Sequence, residues 1–231
     1  MSSAAHSELL WRKIHFADAV LGSASGQFWR SDYLRQLYPR FLVQLYHVVL
    51  GGLDLMRFAA DRSESMASDP VAAVGARYLR QHIGEEDEHA EWLLDDLATL
   101  GLDRNTVTSA RPMPAVVSLI GEQFFWISSF HPVSVFGYLL VLEGQPPLTA
   151  ELDAIRLRTG LPASAFHCLL RHAEDDPAHL EDLNRTLDSM PLNEAQARRL
   201  SLSAYATIEG VSSLLHALLA AEGHTPWVGH G

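Results

Sequence analysis

Apolar residues recur at steps of three and four along most of this chain, the spacing that one buried face of an α-helix requires. The pattern predicts helices over residues 7–20, 31–62, 70–100, 112–129, 132–143, 146–159, 163–190 and 193–222. Residues 103–111 are predicted to form a loop, and the tail 223–231 to be flexible. No strand pattern or dividing linker interrupts the series. We therefore predict an all-α protein, a compact multi-helix bundle in which residues 1–231 form a single domain.

Residues that disfavour helix set the expected ends and bends. Gly22 and Gly26 predict that the first helix ends near residue 20. Pro39 should bend or loosen the second helix, because proline has no backbone N–H to donate. Asp69 followed by Pro70 is a start signal for the third helix, since an N-cap acceptor precedes a proline at the first helical position. That helix should continue unbroken to residue 100.

Composition limits the setting and the partners. The chain has 231 residues, of which 48% are hydrophobic, enough for one large domain with a buried core. A formal net charge of −11 disfavours nucleic acid and anionic membrane surfaces as partners. The single cysteine, Cys168, excludes an internal disulfide framework and fits a reducing compartment. Because we find neither a secretory signal nor a long uncharged apolar run, we expect a cytoplasmic protein that acts on a small molecule.

Two eight-residue segments, 82–89 and 172–179, carry the strongest chemical signal. Each has a histidine, a carboxylate four residues later and another histidine three residues after that. The residues are His82, Glu86 and His89 in the first segment and His172, Asp176 and His179 in the second. Positions i, i+4 and i+7 share one face of a helix, so each segment would present two imidazoles and a carboxylate in one direction. Since these groups bind divalent transition metals, the repeated frame predicts a metal site between two helices.

A further carboxylate stands at the end of a strongly apolar helix. Glu143 follows the run Val-Phe-Gly-Tyr-Leu-Leu-Val-Leu at 135–142, so its helix is expected to be largely buried. A carboxylate in such a place is unfavourable unless it is paired or bound to a metal. Metal sites in helical bundles use carboxylates and imidazoles from several helices, and Glu143 is therefore a candidate ligand.

The order of these motifs resembles the haem-oxygenase-like dimetal oxidases and oxygenases. The resemblance rests on a His/Glu-rich helix, a helix ending in Tyr-Leu-Leu-Val-Leu-Glu-Gly, and the later His-x3-Asp-x2-His. It implies a haem-oxygenase-like fold, shared with thiaminase-like proteins, and a diiron centre of two Fe(II) ions with dioxygen as cosubstrate. The ligands that it implies are His89, Glu143, His172, Asp176 and His179. It also implies oxidation of a small amine, amino acid or carboxylic acid in specialised metabolism.

Two positions depart from the pattern of that family. Many members carry a glutamate seven residues before the ligand histidine of the first ligand helix, where this chain has His82. The carboxylate then comes from Glu86, in the Glu-x-x-His spacing of diiron bundles, or from Glu85, and His82 is itself a candidate ligand. Asp153 stands where the para-aminobenzoate-forming type has a lysine, which disfavours that chemistry.

Less specific explanations remain beside this interpretation. The first segment could be a solvated helix face, since its neighbours are mostly acidic, and the second could be a polar surface. Glu143 could bond to a nearby loop. At the level of function, the alternatives are a haem oxygenase or thiaminase-like enzyme of the same fold, a ferritin-like bundle, and a non-catalytic metal-binding relative.

Three residues are predicted around the site rather than in it. His47 and Asp54 share a face of the second helix through their i, i+7 spacing, and Tyr138 lies in the apolar run before Glu143. They are candidates for contacts to the ligands or to substrate, although a satisfied core histidine explains His47 equally well. A homodimer is the candidate assembly.

Overall fold

The computed structural model describes residues 5–66, 68–144 and 147–221, and within these ranges the regular structure is helical throughout. The α-helices are α1 His6–Arg30, α2 Leu34–Glu64, α3 Pro70–Glu86, α4 His89–Thr99, α5 Arg104–Thr108, α6 Pro114–Ser129, α7 Val135–Glu143, α8 Thr149–Thr159, α9 His167–Ser189 and α10 Glu194–Ala220. Short 3-10 turns, Pro132–Ser134 and Ala163–Phe166, precede α7 and α9. The all-α prediction is confirmed. The predicted helix ends at 146 and 222 and the predicted flexible tail 223–231 lie outside the described residues.

Helix α1 does not end near residue 20, so that prediction was wrong. It continues to Arg30 through Gly22 and Gly26. A glycine inside a helix costs about 1 kcal/mol relative to alanine. Ala24, between the glycines, and Phe28, after them, are fully buried, and burying an aromatic side chain contributes about 2–3 kcal/mol. Tertiary packing therefore outweighs the local preference.

Helix α3 stops at Glu86, so the prediction of one helix from 70 to 100 was wrong. A turn at 87–88 separates it from α4, which begins at His89. Four consecutive acidic residues, 85–88, stand at this point, and like charges within one turn destabilise a continuous helix. The start of α3 agrees with the sequence: the Asp69 carboxylate accepts hydrogen bonds from the Val71 and Ala72 amides, beside Pro70 at the first position.

Two smaller differences concern the elements around the site. The predicted loop 103–111 contains the short helix α5, whose first turn is capped by the Asp103 carboxylate. The helix predicted from residue 132 begins as a 3-10 turn capped by His131 Nδ1, which accepts the Val133 amide at 3.0 Å. Pro39 lies inside α2, which continues past it to Glu64.

The apolar helix α7 lies at the centre of the bundle and crosses α10 closely. Every residue of α7 except Leu142 is buried. A Cβ on Gly137 would lie closer than 3.0 Å to the Leu200 carbonyl oxygen and the Ala204 amide nitrogen, so only glycine allows this approach. Helix α9 packs on α3, α4 and α7, which brings an end of each of these three helices to one side of α9.

Helices α2 and α10 are long and apolar enough, by length and composition alone, to cross a membrane. The sequence had led us to expect no long uncharged apolar run, and each of these helices contains charged residues. Helix α2 packs on α3, α4 and α6, and α10 packs on α1, α6 and α7. Core helices pass the same test, so this is weak support for a membrane span.

Candidate metal centre

The predicted ligands converge where these helices meet. His82 and Glu86 come from the last turn of α3, His89 from the first turn of α4, Glu143 from the last turn of α7, and His172, Asp176 and His179 from one face of α9. His82 and His89 are each 2% exposed, so the first segment is not a solvated helix face. Glu86 is the last residue of α3 and His89 the first residue of α4, so these two candidate ligands flank the turn at 87–88.

One group of potential ligands consists of Glu86, His89 and His172. Their donor atoms lie within 4.8 Å of one another. Glu86 Oε2 is 2.5 Å from His89 Nδ1, and the His89 and His172 ring centroids are 4.6 Å apart. Two imidazoles and a carboxylate at this spacing match the donor set of a divalent transition metal.

A second group consists of His82, Glu85 and His179, whose donor atoms also lie within 4.8 Å of one another. Glu85 Oε2 is 3.3 Å from His82 Nδ1 and 3.8 Å from His179 Nε2. Glu85 is about 40% exposed, whereas His82 is buried. Glu85 appeared in the sequence only as an alternative to Glu86, and the structure brings both carboxylates to the cluster, one beside each imidazole pair.

Glu86 lies between the two groups. One of its carboxylate oxygens, Oε2, faces His89, and the other, Oε1, lies 3.6 Å from His179 Nδ1 and 4.0 Å from His82 Nε2. A carboxylate with one oxygen toward each group has the geometry of a bridging ligand. Glu143 Oε1 adds a hydrogen-bonded contact of 3.0 Å to His82 Nε2 from the side of α7.

Several buried polar atoms of these residues have no hydrogen-bond partner among the described residues. They are His89 Nδ1, His179 Nδ1, Glu143 Oε2 and Asp176 Oδ1. The His89 atom lies 2.5 Å from Glu86 Oε2, yet without hydrogen-bonding geometry. Buried polar groups are nearly always satisfied, so four unpartnered nitrogen and oxygen atoms in one cluster fit the binding of a cation. The residues present therefore fit a metal centre.

Electrostatics of the cluster follow from burial and charge. Burial raises the pKa of Asp176 to about 8, and the negative charges of Glu143 and Glu86 add to that effect. Burial opposes protonation of His82, but the hydrogen bond to Glu143 and nearby carboxylate charges outweigh it and raise the pKa of His82 to about 9. Burial likewise opposes ionisation of Glu86, and the contact with His89 holds the pKa of Glu86 below its ordinary value. The cluster thus holds negative charge that His82 partly balances.

His172 is oriented by the backbone of its own helix. Its Nδ1 donates to the Cys168 carbonyl oxygen at 2.8 Å, which leaves Nε2 as the free ligand atom. Burial lowers the pKa of His172, which favours the neutral, metal-binding form. The Cys168 amide in turn donates to Asp96 Oδ2 at 3.0 Å. Asp96 thus supports His172 through the backbone of Cys168. Sequence reasoning missed Asp96; its position on α4, seven residues after His89, is the only feature of the sequence that could have indicated it.

A small cavity adjoins the cluster. It has a volume of about 190 Å³, and Tyr138, Glu143, His172 and Asp176 are among its lining residues. The Tyr138 hydroxyl is buried without a hydrogen-bond partner in the described part of the chain, and burial raises its pKa above the ordinary value. Tyr138 therefore lies where the sequence predicted a substrate or ligand contact.

His47 and Asp54 are not brought to the cluster. The Asp54 carboxylate is exposed and pairs with Arg57 at 3.3 Å. His47 interacts with the backbone of Ala110, and neither residue lines the cavity. The shared helix face that suggested these residues turns away from the ligand groups.

The structure so far shows an all-α protein with a buried cluster of histidines and carboxylates. Comparison with solved structures identifies its fold. The structure resembles a domain of unknown function with a heme oxygenase-like fold from Shewanella denitrificans OS217, with a TM-score of 0.81 and 18% identity over 99% of this chain and 100% of that one. It also resembles a TenA homolog from Pseudomonas syringae pv. tomato DC3000, with a TM-score of 0.68 and 17% identity over 92% of each chain. The haem-oxygenase-like architecture predicted from the sequence is confirmed.

The sequence also identifies the family. Residues 39–210 match the family described as iron-containing redox enzyme, and this range covers most of the chain. The protein therefore belongs to the iron-containing redox enzyme family. A comparison with curated proteins gave no match. The resemblance drawn from the motifs at 82–89, 143 and 172–179 is confirmed at the level of the family.

Proposed function

We propose that this protein is a non-haem, iron-dependent oxidase or oxygenase in which two Fe(II) ions lie in the cluster between α3, α4, α7 and α9. The observation that carries this proposal is the position of Glu86 between two ligand groups, with an imidazole pair on each side. The ligands are His82, Glu85, Glu86, His89, Glu143, His172, Asp176 and His179. His82 takes a ligand position itself, opposite Glu143.

The residues of the chain would hold and orient this centre. Two ferrous ions would supply the electrons that reduce dioxygen in the oxidation of the bound substrate. The hydrogen bond from His172 Nδ1 to the Cys168 carbonyl fixes the tautomer that presents Nε2. Glu143 and Asp176 each direct one unpartnered oxygen at the cluster, which offers negative charge to balance the cations.

The lining of the small cavity bears on the substrate. Apolar side chains of α2 and α7, including Leu53, Met56 and Leu139, line it together with the residues of the cluster. They would exclude water from the reacting substrate, which strengthens electrostatic interactions within the site. The Tyr138 hydroxyl is the neutral donor that faces this space. A volume of about 190 Å³ suits a small organic molecule or one end of a longer one.

The setting proposed for this enzyme is the cytoplasm, because its single cysteine is buried and free, as expected in a reducing compartment. A homodimer and the absence of nucleic-acid and membrane partners remain predictions from the sequence.

Anaerobic titration of the metal-free protein with Fe(II), followed by exposure to oxygen, tests the proposal. We expect two Fe(II) ions per chain by Mössbauer spectroscopy and rapid oxygen uptake that depends on them. A His15→Ala variant is a suitable control, since His15 is about 65% exposed on α1. Binding of a single iron or none, with no oxygen uptake, would contradict the proposal and favour a haem-binding, thiaminase-like or non-catalytic protein.

A further inference from the structure

A second and larger cavity lies next to the one at the cluster. It has a volume of about 720 Å³, within the range of typical small-molecule sites. Side chains of α1, α2, α7, α8, α9 and α10 line it. The two cavities share the lining residues Phe41, Leu45, Val48, Leu142, Pro147 and Leu169. A molecule bound in the larger cavity would therefore be separated from the cluster only by this shared layer of mostly aliphatic side chains.

The larger cavity is apolar along most of its wall and charged at one part of it. Its charged lining residues, within the ranges that the structure describes, are Arg30, Glu151 and Arg158. All three are exposed, so they lie where the cavity opens to solvent. The cluster end, in contrast, is reached through aliphatic side chains. The space thus has a charged outer end and an apolar inner end.

The charged residues at this opening differ in their partners: Glu151 and Arg158 bond to backbone groups, and neither arginine is paired with a carboxylate of the described residues. Glu151 Oε2 accepts a hydrogen bond from the Leu148 amide and so caps α8. Arg158 donates a hydrogen bond to the Trp29 carbonyl oxygen, which holds the Arg158 guanidinium beside the end of α1. Trp29 is the residue immediately before Arg30. Neither arginine forms an ion pair with a residue in the described part of the chain. In a protein of net charge −11, two unpaired guanidinium groups at one opening attract an anion locally.

Small residues of α1 make room for the cavity. Gly22, Ser25 and Gly26 lie on the face of α1 that lines it, at i, i+3 and i+4. A Cβ on Gly22 would have no heavy atom within 4 Å, so this position borders open space. Gly22 and Gly26, which disfavour helix locally, therefore lie within α1 on the face that borders this cavity.

We propose that the larger cavity binds a molecule with one anionic head and an apolar body, with the head at Arg30 and Arg158 and the apolar end toward the metal cluster. This inference deepens the proposed function, on which it rests for the role of the cluster, but binding itself requires no metal. The anion is held at the opening, away from the candidate metal ligands, so the end of the molecule nearest the cluster is hydrocarbon.

Calorimetric titration of the metal-free protein with decanoate tests the binding site. Decan-1-ol and decylamine serve as probes with the same chain and a neutral or cationic head. We expect decanoate to bind about tenfold more tightly than either, because a carboxylate gains charge-assisted hydrogen bonds from guanidinium groups. In the double variant Arg30→Gln with Arg158→Gln, the preference for decanoate should disappear. Arg12→Gln, an exposed arginine of α1 paired with Glu8, is the control and should leave the preference unchanged.

A second variant tests the location independently of charge. Gly22→Leu places its Cβ where no heavy atom lies within 4 Å and replaces a helical glycine, so the protein should fold. We expect it to weaken decanoate binding about tenfold. Gly121→Leu, another exposed helical glycine with nothing within 4 Å of its Cβ, does not line the cavity and should have no effect. Circular dichroism of each variant confirms folding.

The outcomes separate this inference from the proposed function. Decanoate binding that is unaffected by the double arginine variant, or unaffected by Gly22→Leu, overturns the inference. Binding that needs Fe(II) and is lost in His89→Ala but not in the arginine variants also overturns it, because the carboxylate would then sit on the metals. Arginine-dependent binding to a protein that fails the iron titration supports the cavity assignment while rejecting the proposed enzyme.

Discussion

His82 Nε2 lies 3.0 Å from Glu143 Oε1, although 61 residues separate them in the sequence. The contact joins the last turn of α3 to the last turn of α7, and both side chains are buried. It shows that the histidine which departs from the family pattern faces a predicted carboxylate ligand rather than solvent. In the proposed centre, the place of a glutamate on α3 is taken by an imidazole, and neighbouring carboxylates supply the negative charge.

Removing one imidazole from each group should weaken one metal at a time. We expect His172→Ala and His179→Ala each to reduce the bound iron from two ions to about one, because each group has only two imidazoles. The remaining site should lose affinity by less than about tenfold. Metal analysis after anaerobic loading measures the stoichiometry, with His15→Ala as the control. Retention of both ions in both variants would show that neither His172 nor His179 is a metal ligand.

Glu86→Gln should weaken both metals together. Its two oxygens face opposite groups, and an amide offers one neutral oxygen in place of two charged ones. We expect the affinity for both ions to fall by at least about 100-fold, and Glu88→Gln, on the exposed turn beside it, to have little effect. Competitive titration with a metal chelator measures these affinities. Loss of a single ion in Glu86→Gln would assign this carboxylate to one group alone.

Asp96 should make the folded protein less stable as the pH rises. Burial raises the pKa of Asp96 from 3.8 to about 6, so between these values the folded state binds more protons than the unfolded state. The free energy of unfolding then falls with rising pH in this window and is constant above it. The side chain of Asp96→Asn can still accept a hydrogen bond from the Cys168 amide but cannot ionise. As the pH rises from about 4 to about 7, the free energy of unfolding of this variant should increase by about 2 kcal/mol relative to that of the natural protein.

Urea unfolding at several pH values measures this difference. Asp95→Asn, the exposed neighbour on α4, is the matched control and should show no such gain. If the natural protein and Asp96→Asn differ in the free energy of unfolding by the same amount at every pH, the pKa of Asp96 is not raised in the folded protein.

Gly137→Ala should destabilise the fold through a backbone clash between α7 and α10. The new Cβ would lie too close to the Leu200 carbonyl and the Ala204 amide, neither of which can move without shifting a helix. We expect a loss of at least about 2 kcal/mol in the free energy of unfolding. In Gly121→Ala, where the Cβ meets nothing, we expect a gain of about 0.5–1 kcal/mol. Thermal and urea unfolding of both variants test the pair, and equal effects would argue against the close crossing.

Local sequence rules succeeded where the nearest neighbours along the chain decide the structure. Asp69 and Pro70 start α3 as predicted, since the cap and the proline act within one turn. The same rules failed at Gly22 and Gly26, where burial of Phe28 against distant helices outweighs the glycines. They also missed the turn at 87–88, which separates Glu86 at the end of α3 from His89 at the start of α4.

The sequence by itself determined the helical class and the family, and it predicted most of the residues that meet in the cluster. Helical periodicity and the repeated His-x3-carboxylate-x2-His frame depend only on residue spacing, which the chain carries locally. Only the tertiary structure decided which ligands form each group, that Glu85 joins His82 and His179, and that His47 and Asp54 stay apart from the cluster. These relations depend on how α3, α4, α7 and α9 pack, and packing is set by the buried surfaces of whole helices rather than by any one segment.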